Sequence, residues 1–403
     1  MKIGTDWPEL NPPEAEHSDR LVQRIRSEIE SQGGWISFAR YMEMALYEPG
    51  LGYYSAGATK FGSAGDFVTA PEISPLFSRC LAAQSAEVLQ RLKVDKKTAS
   101  QSDKGADILE IGAGSGVMAA DVLNELEALD ALPGTYRILE VSGDLRQRQL
   151  ATLADRAAKH LRRVEWLDAW PKPFRGVVLA NEVLDALPVE RFRIRRGDVN
   201  SLGVSWQLGR LEWSEARAPA ALARRVRAIE KELGEVLPEG YTSEVNLRLE
   251  PWIESLARSL SAGVMLFIDY GLPAKQYYGT ERSEGTMLCH FRHRYHDDPF
   301  RYVGLQDIGA WVDFTAVANA AIPAKLEVAG FATQAHFLMG NGIDRYLGDL
   351  AQQELAERLA LARQAMLLTL PAEMGERFKV IALSRRLDAT LQGFQVRDLA
   401  ASL

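Results

Sequence analysis

The chain has 403 residues, 47% of them apolar, and its 47 basic and 54 acidic side chains give a formal net charge of −7. This apolar fraction is ordinary for a protein that buries a core, so disordered and collagen-like chains are excluded. The acidic balance argues against nucleic-acid binding through bulk charge, because such a chain repels phosphate. The two cysteines, Cys80 and Cys289, give neither a disulfide framework nor a paired zinc motif.

The beginning of the sequence shows no targeting pattern. Residues 1–20 are polar, acidic and rich in proline, which excludes a secretory signal and argues against an arginine-rich transit peptide. No stretch approaches the ~18 apolar residues that a transmembrane helix needs. We therefore expect a cytoplasmic protein without membrane insertion, and a disordered tail over residues 1–20.

Residues 21–105 are predicted to form an N-terminal layer of helices and loops that covers a ligand site. Apolar residues recur at helical spacing over 21–44 and again over 74–92. Between them, residues 47–71 are rich in glycine and aromatic side chains, which indicates an ordered loop rather than a flexible linker.

From residue 106 to the C-terminus, short apolar runs alternate with helical patterns, beginning with DILEIGAG and TYRILEVS. This alternation predicts an α/β fold with a doubly wound, mostly parallel sheet. Two insertions interrupt it, at about 190–260, where residues 190–215 have an antiparallel pattern, and at 341–370, which is helical. Residues 272–305 show little periodicity and are interpreted as an active-site loop or lid.

The clearest motif is Glu110-Ile-Gly112-Ala-Gly114-Ser-Gly116, which stands between a predicted strand and a predicted helix. Glycines permit a tight turn and a close approach of the backbone to a ligand at the helix N-terminus. The G-x-G-x-G spacing, with an acid two residues before the first glycine, resembles motif I of class I S-adenosylmethionine (SAM) methyltransferases. That cofactor has a sulfonium and no pyrophosphate, so a nearby carboxylate is favourable.

Further acidic residues follow the next strands. Glu140 ends the second strand, where its carboxylate could accept hydrogen bonds from both ribose hydroxyls, and Asp168 ends the third, where it could meet the adenine amino group. Ligands of open α/β sheets bind outside the carboxyl ends of the strands. Asp269 ends the fifth strand and is expected to face the same crevice.

The fourth strand ends in Asn181-Glu182-Val-Leu-Asp185, where we expect the methyl acceptor to bind. Glu182 and Asp185 are three residues apart, so in a helical turn they would share one face. The alternative is a helix cap together with a surface carboxylate.

Several long segments together resemble the MidA-like methyltransferases, the family of the mitochondrial complex I assembly-factor arginine methyltransferase. The segments are GYYSAGATKFGSAGDFVTAPEISPLFSRCLA, ANEVLDALPVERF and DIGAWVDFTAVANAA, and the resemblance runs from about Ile36 to the C-terminus. It implies a Rossmann-like class I methyltransferase with SAM as cofactor and a protein arginine as acceptor, in a respiratory complex I subunit or its bacterial equivalent. Because mitochondrial members carry targeting sequences, we expect a bacterial, cytoplasmic member.

Four further residues lie on stretches that resemble the family. Thr69 and Pro71 belong to a segment expected to close over SAM, although Thr69 could equally cap a helix that begins near Ile73. His293 and Asp313 are candidate proton acceptors if Glu182 and Asp185 hold a guanidinium. The histidine-rich tract around His293 matches no zinc signature, and its arginines would repel a dication, so no metal is expected.

Two other functions fit parts of the pattern. A Gly-rich turn with an acid some 24 residues later also fits an NAD(P)-dependent oxidoreductase, although the G-x-G-x-G spacing weighs against it. The third possibility is a non-catalytic SAM-binding assembly factor that keeps the fold as a scaffold.

Overall fold

The computed structural model describes residues 7–55, 69–94, 105–348, 354–387 and 390–403. The chain divides into two compact units. The first, called here the insert unit, consists of Met1–Phe67, Asp185–Leu249 and Leu272–Asp313. The second, called the sheet unit, consists of Val68–Leu184, Glu250–Gly271 and Phe314–Leu403.

The helices and strands are numbered here in chain order. The helices are α1 Pro12–Ser31, α2 Phe38–Tyr47, α3 Ala70–Ile73, α4 Pro75–Val94, α5 Val117–Ala128, α6 Gly143–Arg156, α7 Ala220–Leu233, α8 Leu249–Ala257, α9 Ala274–Tyr277, α10 Phe314–Ala321, α11 Gln334–Gly340, α12 Ile343–Gly348, α13 Leu355–Thr369 and α14 Met374–Arg377. The strands are β1 Ile36–Ser37, β2 Asp107–Ile111, β3 Tyr136–Leu139, β4 Val164–Leu167, β5 Phe174–Asn181, β6 Glu190–Arg195, β7 Asp198–Gln207, β8 Arg210–Arg217, β9 Thr242–Val245, β10 Leu260–Leu272, β11 Leu288–Phe291, β12 Arg294–His296, β13 Asp307–Gly309, β14 Val312–Asp313, β15 Glu327–Thr333 and β16 Phe378–Arg385.

The sheet unit is built on seven strands in the order β15-β16-β10-β5-β2-β3-β4. Strands β10, β5, β2, β3 and β4 are parallel, whereas β16 runs antiparallel to both β10 and β15. The predicted α/β fold with a mostly parallel sheet is therefore confirmed. The chain builds outward from β2 through β3 to β4 and then returns to β5 on the other side of β2. Such a reversal opens a crevice at the carboxyl ends of β2 and β5.

Helix α4 belongs to this sheet unit, not to the predicted N-terminal layer of residues 21–105. Its buried residues Phe77, Leu81 and Leu89 lie in the same apolar cluster as Ile108 and Val177 of the central strands. Burying such a helix face against the sheet removes apolar surface from water, which is worth about 25 cal/mol per Å². The boundary therefore falls before α3, because α4 covers the sheet.

The insert unit contains an antiparallel sheet in the order β1-β7-β6-β9, with β8 paired to β7. The antiparallel pattern predicted over 190–215 corresponds to β6, β7 and β8. The segment over 272–305, predicted as an active-site loop or lid, contains regular secondary structure, with helix α9 and the β11–β12 hairpin, and β11 also pairs with β13. Strands with so few residues leave little periodicity in the sequence, so the pattern does not predict them.

The predicted disordered tail is wrong for residues 12–20, which form the first half of α1. Asn11 and Glu14 form a reciprocal capping box, and Pro12 occupies the first turn. Proline is tolerated there because its missing N–H has no helical partner to lose. Leu21 and Ile25 are fully buried on the apolar face of the same helix. The proline- and acid-rich composition thus marks a helix start.

Candidate active site

The glycine turn, residues 112–116, follows β2 and precedes α5. Gly112, Gly114 and Gly116 have φ values of 67°, 52° and 85°, in the left-handed region that side chains disfavour. A Cβ added to Gly116 would lie 2.9 Å from the Cα of Gln149, so a larger residue would also collide with α6. The turn therefore leaves a cradle of bare backbone at the N-terminus of α5.

Glu110, the second-to-last residue of β2, is fully buried. Its Oε2 accepts a hydrogen bond from the Tyr136 hydroxyl at 2.5 Å, while its Oε1 has no hydrogen-bond partner within the described part of the chain. Burial raises the pKa of Glu110 to about 7, against the opposing effect of the Tyr136 hydrogen bond. A cation placed nearby would favour the ionised form of this carboxyl group.

Glu140 follows β3, and neighbouring groups donate hydrogen bonds to its carboxylate. The backbone N–H of Ser142 donates to Oε1 at 2.9 Å, and the amide Nε2 of Gln149 donates to Oε2 at 3.1 Å. Burial raises the pKa of Glu140, and these hydrogen bonds oppose that rise. The carboxylate is therefore oriented before any ligand arrives.

Gln149, on α6, was not predicted as a site residue, yet it connects two that were. Besides Glu140, its Nε2 donates to the carbonyl of Gly114 at 3.2 Å, and its Oε1 accepts from the indole of Trp166 at 2.9 Å. Gln149 is fully buried. The signal in the sequence was a polar residue at the helical spacing of the buried positions Leu145 and Leu153.

Asp168 lies beyond β4 and differs from Glu140 in exposure, since 84% of its side chain is accessible. It forms an ion pair with Arg146, whose guanidinium also donates to the carbonyls of Glu140 and Leu167 at 2.7 and 2.8 Å. Arg146 thus connects the ends of β3 and β4. A carboxylate so exposed is screened by water and can offer only a weak contact.

The helix that follows Thr69 begins earlier than predicted, since the short helix α3 starts at Ala70 and not near Ile73. Thr69 occupies the N-cap position, but its side chain makes no capping hydrogen bond, so the predicted cap near Ile73 is wrong. Glu72 instead accepts a hydrogen bond from the Ser115 hydroxyl, which joins this helix to the glycine turn. Residues 56–68 of the loop predicted over 47–71 lie outside the described residues.

The acidic turn, residues 181–185, begins at the last residue of β5 and is not helical. Glu182 has φ 53°, and its N–H donates to the carbonyl of Ile268 on β10 at 2.8 Å. The N–H of Leu184 donates to the buried carboxylate of Asp269 at 2.9 Å. A left-handed residue cannot continue a helical turn, so the predicted helical face shared by Glu182 and Asp185 is wrong.

Within the acidic turn, the amide Nδ2 of Asn181 donates to Oε1 of Glu182 at 3.0 Å. Val183 lies against the glycine turn, because a Cβ added to Gly112 would be 3.3 Å from its Cγ2. Glu182 is thus the neighbour in sequence of a residue that packs on the cradle. Asp185, the first residue of the second segment of the insert unit, is 6% exposed.

The two predicted proton acceptors lie on separate elements of the insert unit. His293 is exposed at the tip of the β11–β12 hairpin, with φ 61°. Asp313 ends β14, and its Oδ2 lies 3.8 Å from Nη2 of Arg225. Across the described residues, no group of three His, Cys, Asp or Glu side chains could hold a metal ion. No helix in those ranges is long and apolar enough to cross a membrane.

A model of the S-adenosyl-L-methionine-dependent methyltransferase family matches residues 80–332, which is more than half of the chain. The chain belongs to this methyltransferase family. The match covers the glycine turn, Glu140 and the acidic turn. It favours methyl transfer over the oxidoreductase that the glycine-rich turn alone would allow.

Solved structures and curated proteins extend the likeness to nearly the whole chain. A COG1565 superfamily member from Burkholderia thailandensis, crystallised with S-adenosyl-homocysteine, is 40% identical, covers 99% of this chain and 100% of its own, and has a TM-score of 0.92. A native crystal structure of a COG1565 superfamily protein from the same organism is 39% identical, with the same coverage and a TM-score of 0.89. The mouse protein arginine methyltransferase NDUFAF7, mitochondrial, is 29% identical over 92% of this chain and 86% of its own length.

The cofactor of this methyltransferase is SAM, and the described residues fit such a group. The glycine turn presents backbone without side chains at the N-terminus of α5, and Glu110 keeps one buried oxygen without a partner in the described ranges. Glu140 presents an oriented carboxylate of the kind that binds ribose hydroxyls. When bound, SAM supplies a methyl group on a sulfonium, which makes that carbon electrophilic.

Proposed function

We propose that this methyltransferase modifies arginine side chains of a protein acceptor. The observation that carries the proposal is the acidic turn, in which Glu182 follows β5 directly and its neighbour Val183 packs on the glycine turn. The mouse relative, which is named a protein arginine methyltransferase, supports the same acceptor class. We further infer a cytoplasmic enzyme whose acceptor is a respiratory complex I subunit or its bacterial equivalent.

A guanidinium needs carboxylates because it stays cationic in water, with a pKa above about 12, and offers its N–H donors in a planar fork. Glu182, Asp185 and Asn181 are the residues we assign to holding it. The left-handed conformation of Glu182 costs of order 1–3 kcal/mol, a strain that is characteristic of functional positions. Holding the fork on one side directs the free nitrogen towards the methyl group, so catalysis rests on positioning and electrostatics.

The nitrogen that accepts the methyl group must also lose a proton. Of the two candidates, we rank His293 above Asp313, because Asp313 is already engaged by Arg225. We assign cofactor contacts to the turn after β2, the acids after β3 and β4, and the segment before α4. These residues are Glu110, Gly112, Gly114, Gly116, Glu140, Asp168, Thr69 and Pro71.

The test is Glu182→Gln, which keeps the size of the side chain and an oxygen for Asn181 but removes the charge. Turnover is expected to fall by roughly 10²–10³, the usual loss for one preorganised electrostatic group, with SAM affinity nearly unchanged. Each purified enzyme would be incubated with tritiated SAM and extract from cells that lack the gene. The labelled residues would then be mapped by mass spectrometry. Glu327→Gln, which neutralises an exposed carboxylate at the start of β15, is the matched control.

Label on arginine from the parent enzyme and from Glu327→Gln, but not from Glu182→Gln, would support the proposal. Label on another residue type would assign a different acceptor. SAM binding without label on any protein would favour the non-catalytic assembly factor. If Glu182→Gln labels arginine at the parent rate, the carboxylate does not hold the acceptor.

A further inference from the structure

Two hydrogen bonds from distant parts of the sequence hold the start of the insert unit's second segment. The hydroxyl of Tyr47, the last residue of α2, donates to the carbonyl of Ala186 at 2.9 Å. The N–H of Ala310 donates to the carbonyl of Asp185 at 3.2 Å. Two consecutive carbonyls are thereby fixed, and the first belongs to a residue that we assign to the acceptor.

The same two bonds are linked to each other by further contacts within the insert unit. The ring of Tyr47 stacks on that of Tyr54, with centroids 5.5 Å apart and planes at 21°. The Tyr54 hydroxyl donates to Oδ1 of Asp307 at 2.9 Å. Asp307 is the first residue of β13, and Ala310 follows the last residue of that strand. The contacts therefore form a closed frame that begins and ends at residues 185–186.

Burial and charge keep both phenols in the donor form. Burial raises the pKa of Tyr47 and of Tyr54 far above the usual value for tyrosine, and the charges of Asp307 and Asp185 raise both further. The Tyr47 residue as a whole is nevertheless 37% exposed. What the hydroxyl does contact is the backbone of the turn.

We propose that Tyr47 is a positioning residue for methyl transfer, which fixes Asp185 through the carbonyl of Ala186, with Tyr54 and Asp307 holding the ring in place. The inference rests on the proposed function, because only there does Asp185 bind the acceptor. A displacement of about 1 Å in a positioned group can cost roughly 100-fold in rate. A single hydroxyl at the end of α2 is therefore expected to influence turnover without contacting any reactant.

The test compares Tyr47→Phe with Tyr302→Phe. Both remove only a hydroxyl, and the hydroxyl of Tyr302 also donates to a backbone carbonyl, that of Pro8, at 2.9 Å within the same unit. Hydrogen exchange would be followed in peptides that cover 183–188 and 307–312, SAM affinity by calorimetry, and methyl transfer with tritiated SAM and the extract described above.

In Tyr47→Phe we expect faster exchange in both peptides and a roughly 10- to 100-fold slower transfer that saturating SAM does not restore. SAM affinity should stay within about twofold, since uniform binding is not removed. Tyr302→Phe should match the parent in all three measurements. Slower transfer with unchanged SAM affinity, absent from the Tyr302→Phe control, distinguishes a positioning role from a general loss of structure.

Unchanged exchange in Tyr47→Phe would overturn the proposal, as would faster exchange with transfer at the parent rate. Equal losses in Tyr302→Phe would show a general structural effect and would also overturn it. If the parent enzyme labels no arginine, the proposed function fails separately. In that case, hydrogen exchange over residues 183–188 alone decides whether Tyr47 holds the backbone at Ala186.

Discussion

The glycine turn after β2 and the acidic turn after β5 differ in the kind of residue that adopts left-handed backbone. Both follow neighbouring parallel strands and both use left-handed backbone. The glycine turn adopts it at three glycines, where it costs no steric strain. The acidic turn adopts it at Glu182, where a side chain makes the same conformation unfavourable.

The difference shows what each turn needs from the rest of the fold. The glycine turn can form from its local sequence, because its residues tolerate the required dihedral angles. The acidic turn needs contacts from β10, namely the carbonyl of Ile268 for the N–H of Glu182 and the carboxylate of Asp269 for the N–H of Leu184. A carboxylate at a strained position is retained only where the surrounding structure over-determines it.

We expect the largest effect from a substitution that disrupts the glycine turn. Gly116→Ala combines a left-handed φ with a Cβ 2.9 Å from the Cα of Gln149, so it should lower the free energy of unfolding by about 3 kcal/mol. SAM should bind at least tenfold more weakly, since Gln149 holds Glu140. Gly234→Ala is the control, because it has φ 77° with nothing within 4 Å and should cost only about 1 kcal/mol. Equal losses of unfolding free energy in thermal denaturation would show that the collision is unimportant.

An intermediate effect should separate the two carboxylates on the cofactor side. Glu140→Ala removes a buried, oriented carboxylate and should weaken SAM binding by roughly 1.5–3 kcal/mol. Asp168→Ala removes one with 84% of its side chain exposed and should cost less than about 1 kcal/mol. Calorimetric titration with SAM measures both. An Asp168 variant as impaired as the Glu140 variant would contradict the ranking by burial.

The smallest effect on the free energy of unfolding is an increase, and it should come from relieving the backbone strain at Glu182 in the acidic turn. Glu182→Gly suits φ 53° and should raise the free energy of unfolding by about 1 kcal/mol, while methyl transfer is lost with the carboxylate. Thermal denaturation of this variant beside Glu182→Gln, which keeps the strain, isolates the backbone contribution. A glycine variant less stable than the glutamine variant would mean that side-chain contacts of Glu182 outweigh its strain.

The sequence by itself determined the parallel sheet, the glycine turn and the acids that end the strands. These features repeat over short distances along the chain, and strand–helix alternation needs no knowledge of distant partners. The position of Glu110 before the glycines and of Glu140 at the end of the second strand can therefore be read from the sequence alone. The start of α1 at Asn11 and Pro12 is also a local signal, because it is a capping box, although the acidic composition obscured it.

Only the tertiary structure decided the insert unit, because it assembles three segments that are far apart in sequence. It also decided that Asp168 is exposed while Glu140 is buried, which depends on what packs over each strand end. Gln149 gained its role from the carbonyl of Gly114 and the carboxylate of Glu140, brought together only by the packing of α6. Likewise, Glu182 is left-handed because a neighbouring strand holds its N–H, a contact that no local pattern encodes.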